Sequence, residues 1–86
     1  MVIEKKVWPE YFQMILDGAK KYELRLADWQ CKKNDILLLK EWDPKRKQYS
    51  GREIKKKVTM VLKTNEVTFW SPAEVAKYGY QIISFE

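Results

Sequence analysis

The chain has 86 residues, 45% hydrophobic and 14% aromatic, which predicts one small folded domain over residues 1–86 rather than a disordered chain. Its net charge of +5 favours a polyanionic partner without identifying one. With a single cysteine, Cys31, and no histidine, the composition excludes an internal disulfide and the usual zinc and iron ligand sets, so we expect no metal, no cofactor and a reducing compartment.

The N-terminal residues carry charge where a secretory signal would need an apolar run. No later segment approaches the ~20 consecutive apolar residues of a membrane span. We therefore expect a soluble, cytoplasmic protein with no membrane partner.

A strand and a helix are predicted first. Residues 2–7 have the pattern of a short strand. Pro9 suits the first turn of a helix, because its missing N–H would have no partner within the helix. Apolar residues then recur at helical spacing, so we expect this helix to run to about Asp17.

The apolar period changes from 3.6 to 2 at Gly18. Glycine is what a helix end needs, because the residue after the last turn commonly takes a positive φ. Beyond it Tyr22, Leu24 and Leu26 alternate with charged residues. We therefore expect the helix to stop here and a second strand to cover residues 20–26.

Two further strands are predicted in the middle of the chain. Residues 36–42 begin with an apolar run, which is typical of a central strand. Residues 43–51 are predicted to form a loop. Residues 52–63 alternate as a long, curved strand would, although Lys56 falls on its apolar side; a bulge or an exposed strand end would explain that.

The last third is predicted to contain a connection, a helix and a strand. Residues 64–70 are predicted to form the connection, and residues 67–69 are expected to be partly extended. A capping-box spacing from Ser71 to Glu74 and a proline in the first turn predict a second helix of about two turns, ended by Gly79. Residues 80–85 are expected to form the last strand.

Five strands and two short helices predict an α+β fold, in the form of a small mixed β-barrel. Most strands are joined directly, and we see no alternation of strand and helix of the kind that builds parallel sheets.

Gly18, Lys20 and Glu23, followed by Arg25, form a G-x-K-x-x-E pattern that resembles the signature of ASCH domains, a branch of the PUA-like barrels. Four further blocks look like a small prokaryotic and phage-associated subfamily of these proteins; they lie at residues 8–12, 34–37, 41–44 and 49–53. Related sequences usually have glycine where this chain has Asn34, and asparagine also tolerates positive φ. The resemblance implies a PUA-like barrel.

The resemblance also implies a cleft at the junction of the first helix and the second strand, with Lys20 and Glu23 as ligand contacts. Lysine donates to a phosphate or carbonyl, glutamate accepts from the amines of a base, and arginine offers a planar fork. Without the resemblance, Glu23 and Arg25 would be interpreted as a solvated strand face with cross-strand ion pairs. For Arg25 both interpretations stay open.

Three tryptophans, Trp29, Trp42 and Trp70, lie in or beside predicted loops, where they could stack on unpaired bases. Core or lid packing is the alternative for each. Arg52, between the basic runs at residues 45–47 and 55–57, could track a phosphate backbone or simply be solvated.

These features favour an RNA-binding or single-stranded nucleic-acid-binding module. The alternative is a pocket for a small molecule, acting as an amidohydrolase or as a sensor of an acylated nucleoside. Some small ASCH proteins resemble amidohydrolases that use the signature lysine and a threonine three residues later. Because Glu23 replaces that threonine here, the sequence leans against an enzyme and identifies no catalytic residue.

Overall fold

The computed structural model describes residues 1–66 and 69–86, and the bounds of its helices and strands are as follows. The elements in chain order are β1 (Val2–Val7), α1 (Pro9–Leu16), β2 (Ile36–Asp43), β3 (Gln48–Lys57), a 3₁₀ turn (Thr64–Glu66) and α2 (Pro72–Tyr78). The three strands form one sheet in the order β1-β2-β3. β1 and β2 are parallel, whereas β2 and β3 are antiparallel.

Helix α1 connects the two parallel strands, because parallel neighbours need a crossover connection rather than a tight turn. It packs on one face of the sheet and closes the hydrophobic core. The core side chains are Val7 from β1, Phe12 and Ile15 from α1, and Leu39 from β2, with Leu37 and Ile54 packed against them. The core therefore lies between α1 and the middle of the sheet.

Several local predictions are confirmed. A strand covers residues 2–7, α1 begins at Pro9, and β2 covers the predicted residues 36–42 and extends to Asp43. Gly18 follows the end of α1 with a φ of 79°, and Asn34 takes a φ of 77°. Ser71 and Glu74 form the predicted capping box of α2, which ends at Gly79.

The prediction of a five-stranded barrel is wrong. Within residues 1–66 and 69–86 the sheet has three strands and remains open. Residues 20–26 and 80–85 are not in strands, and β3 stops at Lys57 instead of reaching residue 63. The alternation of apolar and polar residues along a segment does not show that a neighbouring strand is available for pairing. In the structure the alternating segments remain largely unpacked, since Leu26 and Phe85 are about 80% exposed. The parallel pairing through α1 was also not expected. Of the predicted extended stretch 67–69, residues 67 and 68 lie outside the described residues.

β3 starts earlier than predicted, inside the expected loop, and contains a bulge. Lys40 faces Glu53 and Trp42 faces Tyr49, so residues 50–52 of β3 all lie opposite Glu41. Gly51 takes a φ of 97°, which a side chain with a Cβ adopts only with strain. Arg52, which follows Gly51 in the bulge, contacts Gln13 and Phe12 of α1.

In the part of the chain that is described, no helix is long and apolar enough to cross a membrane.

Candidate functional site

The end of α1 fixes the position of Lys20. The backbone N–H groups of Ala19 and Lys20 both donate to the carbonyl oxygen of Met14, each at 3.0 Å. The N–H of Lys21 donates to Ser84 Oγ at 3.1 Å, which ties this segment to the C-terminal residues. Residues 19–21 are therefore anchored at two points although they belong to no strand.

Lys20, Glu23 and Arg25 form a continuous chain of ion pairs. Lys20 Nζ lies 2.7 Å from Glu23 Oε1, and Arg25 Nε lies 2.8 Å from Glu23 Oε2. Lys20 Nζ also donates to the carbonyl oxygen of Tyr22 at 2.6 Å. The side chains of Lys20 and Glu23 are only 11% and 16% exposed. The structure thus brings together the three charged residues predicted at this junction.

These residues line a cavity of about 450 Å³, which we call the junction cavity. Its lining includes the apolar residues Ile15, Leu37 and Leu39, which also belong to the core or pack against it. Its lining also contains three further basic residues, Lys56, Lys57 and Lys63. The cavity lining therefore combines apolar and charged side chains, and its volume falls within the range of small-molecule sites.

Trp29 also lines the junction cavity and is half-buried. Lys5 Nζ lies 3.9 Å from the centroid of its indole ring, a cation–π contact. Trp29 is thus the one predicted tryptophan that the structure places beside Lys20, Glu23 and Arg25.

Sequence reasoning did not assign Lys5, Cys31 or Lys56 to this site. Lys56 had a usable signal, because it interrupts the apolar side of its strand. The register explains the interruption: Lys56 pairs with Leu37, and both residues line the junction cavity. Lys5 and Cys31 had no comparable signal.

Cys31 is not a ready nucleophile. Burial, and then the neighbouring charge of Asp35, raise the pKa of its thiol above the ordinary value. A thiol with a raised pKa stays protonated at neutral pH, and the thiolate is the reactive form. The free cysteine in the junction cavity therefore adds polarizable surface rather than a reactive group.

The remaining predicted residues lie elsewhere. Trp42 packs against Tyr49 with ring centroids 5.0 Å apart, near the start of β3. Trp70 contacts Phe69 and Tyr80 with centroid distances of 5.6 and 6.4 Å. None of these side chains lines the junction cavity.

Arg52 holds a structural ion pair. Its Nε and Nη2 atoms donate to the two carboxylate oxygens of Glu41 at 3.0 and 2.7 Å, a bidentate geometry. Its guanidinium carbon lies 5.0 Å from the centroid of the Phe12 ring. Hydrogen bonds from Arg52, and then from Ser50, lower the pKa of the buried Glu41. The same pair raises the pKa of Arg52. Arg52 therefore joins β3 to β2 under α1.

No group of three or more Cys, Asp or Glu side chains that could hold a metal ion occurs among residues 1–66 and 69–86. At the junction cavity both oxygens of Glu23 already accept from cations, so this carboxylate is not poised as a general base. The chemistry that the arrangement supports is recognition by hydrogen bonds and charge.

Comparison with known proteins gives a family. Residues 2–84 match the family described as domain of unknown function (DUF3850). A relative from Escherichia phage P2, the uncharacterized 12.9 kDa protein in GpA 3'region, is 33% identical over 58 residues. That match covers 67% of this chain and 51% of the relative, so the chain spans about half the relative's length. No solved structure matches the chain significantly. Because the family match extends over nearly the whole chain, the protein belongs to the DUF3850 family.

Proposed function

We propose that the protein binds single-stranded RNA in the cytoplasm and takes one unpaired nucleotide into the junction cavity. The observation that carries this proposal is the chain of ion pairs formed by Lys20, Glu23 and Arg25 in the wall of a nucleotide-sized cavity. Unpaired bases are recognised by stacking and by hydrogen bonds to their edges, and the cavity offers groups for both.

Donors and acceptors remain free in the ion-pair chain. Lys20 has three N–H donors and uses two of them, on Tyr22 and Glu23. Each oxygen of Glu23 has a second lone pair, which can accept from an exocyclic amine of a base. The ion pairs also hold these side chains in one geometry, so less conformational entropy is lost on binding.

Positive charge in the cavity lining favours a phosphate. Lys56, Lys57 and Lys63 line the cavity, and none of them forms an ion pair within the described part of the chain. Trp29 adds an aromatic surface for stacking. A nucleotide placed here would have its phosphate near the lysines and its base near Glu23 and Trp29.

The second candidate is a pocket for a free modified nucleoside, to be recognised rather than hydrolysed. The volume of about 450 Å³ favours it, because a nucleoside would fill such a site without any flanking nucleotides. The resemblance to ASCH domains is compatible with either ligand and stays a prediction.

The test is a titration of labelled single-stranded RNA followed by fluorescence anisotropy at two salt concentrations. Lys20→Gln and Glu23→Gln are each expected to weaken binding by about tenfold, the effect of one lost charge-assisted hydrogen bond. Higher salt is expected to weaken binding of the unaltered protein as well, because bound phosphates release counterions.

Lys77→Gln is the matched control, since Lys77 is a surface lysine of α2 and is not among the residues that line the junction cavity. It should bind RNA like the unaltered protein. Absence of RNA binding at low salt, or equal binding by all variants, would contradict the proposal. Stabilisation by a modified nucleoside that is lost in Lys20→Gln would then support the second candidate.

A further inference from the structure

The sheet face opposite the core carries a second group of basic and aromatic side chains. Lys6 of β1 lies directly beside Lys40 of β2 in the register, and Trp42 follows on the same side of β2. A depression of about 330 Å³ is lined by Glu4, Lys5, Lys6, Arg25, Lys40 and Tyr49.

The aromatic rings and the lysines of this face are in contact. Trp42 and Tyr49 pack edge to face at an interplanar angle of 75°. Lys6 Nζ lies 3.7 Å from the centroid of the Trp42 ring and 5.7 Å from that of Tyr49. Lys40 Nζ lies 5.4 Å from the Tyr49 centroid. The rings thus present their faces to cations that a ligand could displace.

The charge of this face is incompletely balanced. Like charges directly opposite each other on neighbouring strands are unfavourable, and Lys6 and Lys40 are such a pair. Lys40 is balanced by Glu4 at 3.4 Å and faces Glu53 on β3. No carboxylate lies within ion-pair distance of Lys6 among the described residues. A phosphate near Lys6 would relieve the repulsion.

Arg25 connects this face to the junction cavity. Its Nη2 donates to the backbone carbonyl oxygen of Lys6 at 2.5 Å, and its Nε pairs with Glu23. Arg25 lines both the cavity and the depression. The two sites are therefore adjacent across the edge of β1.

We propose that Lys6, Lys40, Trp42 and Tyr49 form a second nucleotide subsite, which takes the neighbouring nucleotide of the same RNA strand. This inference rests on the proposed function of the junction cavity. The RNA passes over Arg25, Lys6 leaves the Trp42 ring to bind a phosphate, and a base takes its place on the ring. The protein thus reads at least two consecutive nucleotides.

The experiment compares a labelled single ribonucleotide, as the shorter RNA that can fill the junction cavity alone, with a labelled random-sequence RNA of eight nucleotides at low salt. In Lys6→Gln and Trp42→Leu, affinity for the longer RNA is expected to fall about tenfold, as for one lost stacking or phosphate contact. Affinity for the shorter RNA should change much less. Lys77→Gln is the matched control, because Lys77 Nζ also lies over an exposed ring, that of Tyr78, at 5.1 Å.

The outcomes separate the two proposals. If both RNAs bind and binding falls in Lys20→Gln but not in Lys6→Gln or Trp42→Leu, the second subsite is wrong and the junction cavity stands. If neither RNA binds the unaltered protein, both proposals fail. Because Trp42→Leu removes a packing contact with Tyr49, Lys6→Gln provides the decisive comparison where the tryptophan variant unfolds.

Discussion

Phe12→Ala is expected to lower the free energy of unfolding by about 3–5 kcal/mol, the usual cost of removing a buried aromatic side chain. Phe12 is 1% exposed and lies at the centre of the core between α1 and the sheet. Its ring also supports the guanidinium group of Arg52. Because natural domains are stabilised by only ~5–15 kcal/mol, the variant should be close to unfolding at room temperature. Urea unfolding followed by circular dichroism measures the change.

Tyr11→Ala is the matched control, because it removes a neighbouring aromatic side chain from the same helix. Tyr11 is 47% exposed, so its loss should cost only about 1 kcal/mol. Equal costs for the two variants would mean that α1 does not pack on the sheet through Phe12.

Arg52→Leu is expected to destabilise the protein more than Glu41→Gln does, by roughly a factor of two. The two partners differ in exposure: the side chain of Glu41 is 7% exposed and that of Arg52 is 48% exposed. Removing Arg52 leaves a buried carboxylate without its bidentate partner, whereas removing the charge of Glu41 leaves a guanidinium group that water can reach. Urea unfolding at neutral pH measures both variants.

The pH dependence of the free energy of unfolding provides a second test of the Arg52–Glu41 ion pair. Arg52 and Ser50 lower the pKa of Glu41 in the folded protein, so the stability that Glu41 contributes is fully present above its ordinary pKa of about 4.3. This contribution is lost as the pH falls through the lowered pKa. In Arg52→Leu, the unpaired buried carboxylate should instead have a raised pKa. The difference in stability between the two proteins should therefore shrink as the pH falls from the raised pKa of the variant through the lowered pKa of the unaltered protein. A difference that stays constant with pH would contradict the role assigned to the pair.

Local features of the fold were predictable because their causes are local. Pro9 in a first helical turn, glycine at the end of α1 and the capping box at Ser71 each act within a few residues, and the structure contains all three. Pairing between strands is a non-local property. The alternation over residues 20–26 predicted a strand, but it carried no information about a partner strand, and the structure has no strand there. The long connection between the parallel strands β1 and β2 was likewise not predicted, because residues 17–35 of it contain no helix.

The site was partly predictable for a related reason. Lys20, Glu23 and Arg25 are close in sequence, so the helix end that positions one of them positions all three. For Arg52 the sequence left a phosphate contact and a solvated side chain open, whereas the structure places it in an ion pair with Glu41, beside the bulge at Gly51. That bulge depends on the register between β2 and β3, which no local pattern revealed.

The central claim is that an RNA nucleotide enters the junction cavity, and the four tryptophans allow a direct test. In ¹⁵N-labelled protein each indole N–H gives one NMR signal, which Trp→Phe variants assign to Trp8, Trp29, Trp42 and Trp70. On titration with single-stranded RNA, the Trp29 signal should shift and saturate, because Trp29 lines the cavity. The Trp42 signal should also shift if the second subsite is occupied. Signals of Trp8 and Trp70 should stay in place. A Trp29 signal that remains fixed while RNA binds, or that of Trp70 shifting instead, would contradict the account.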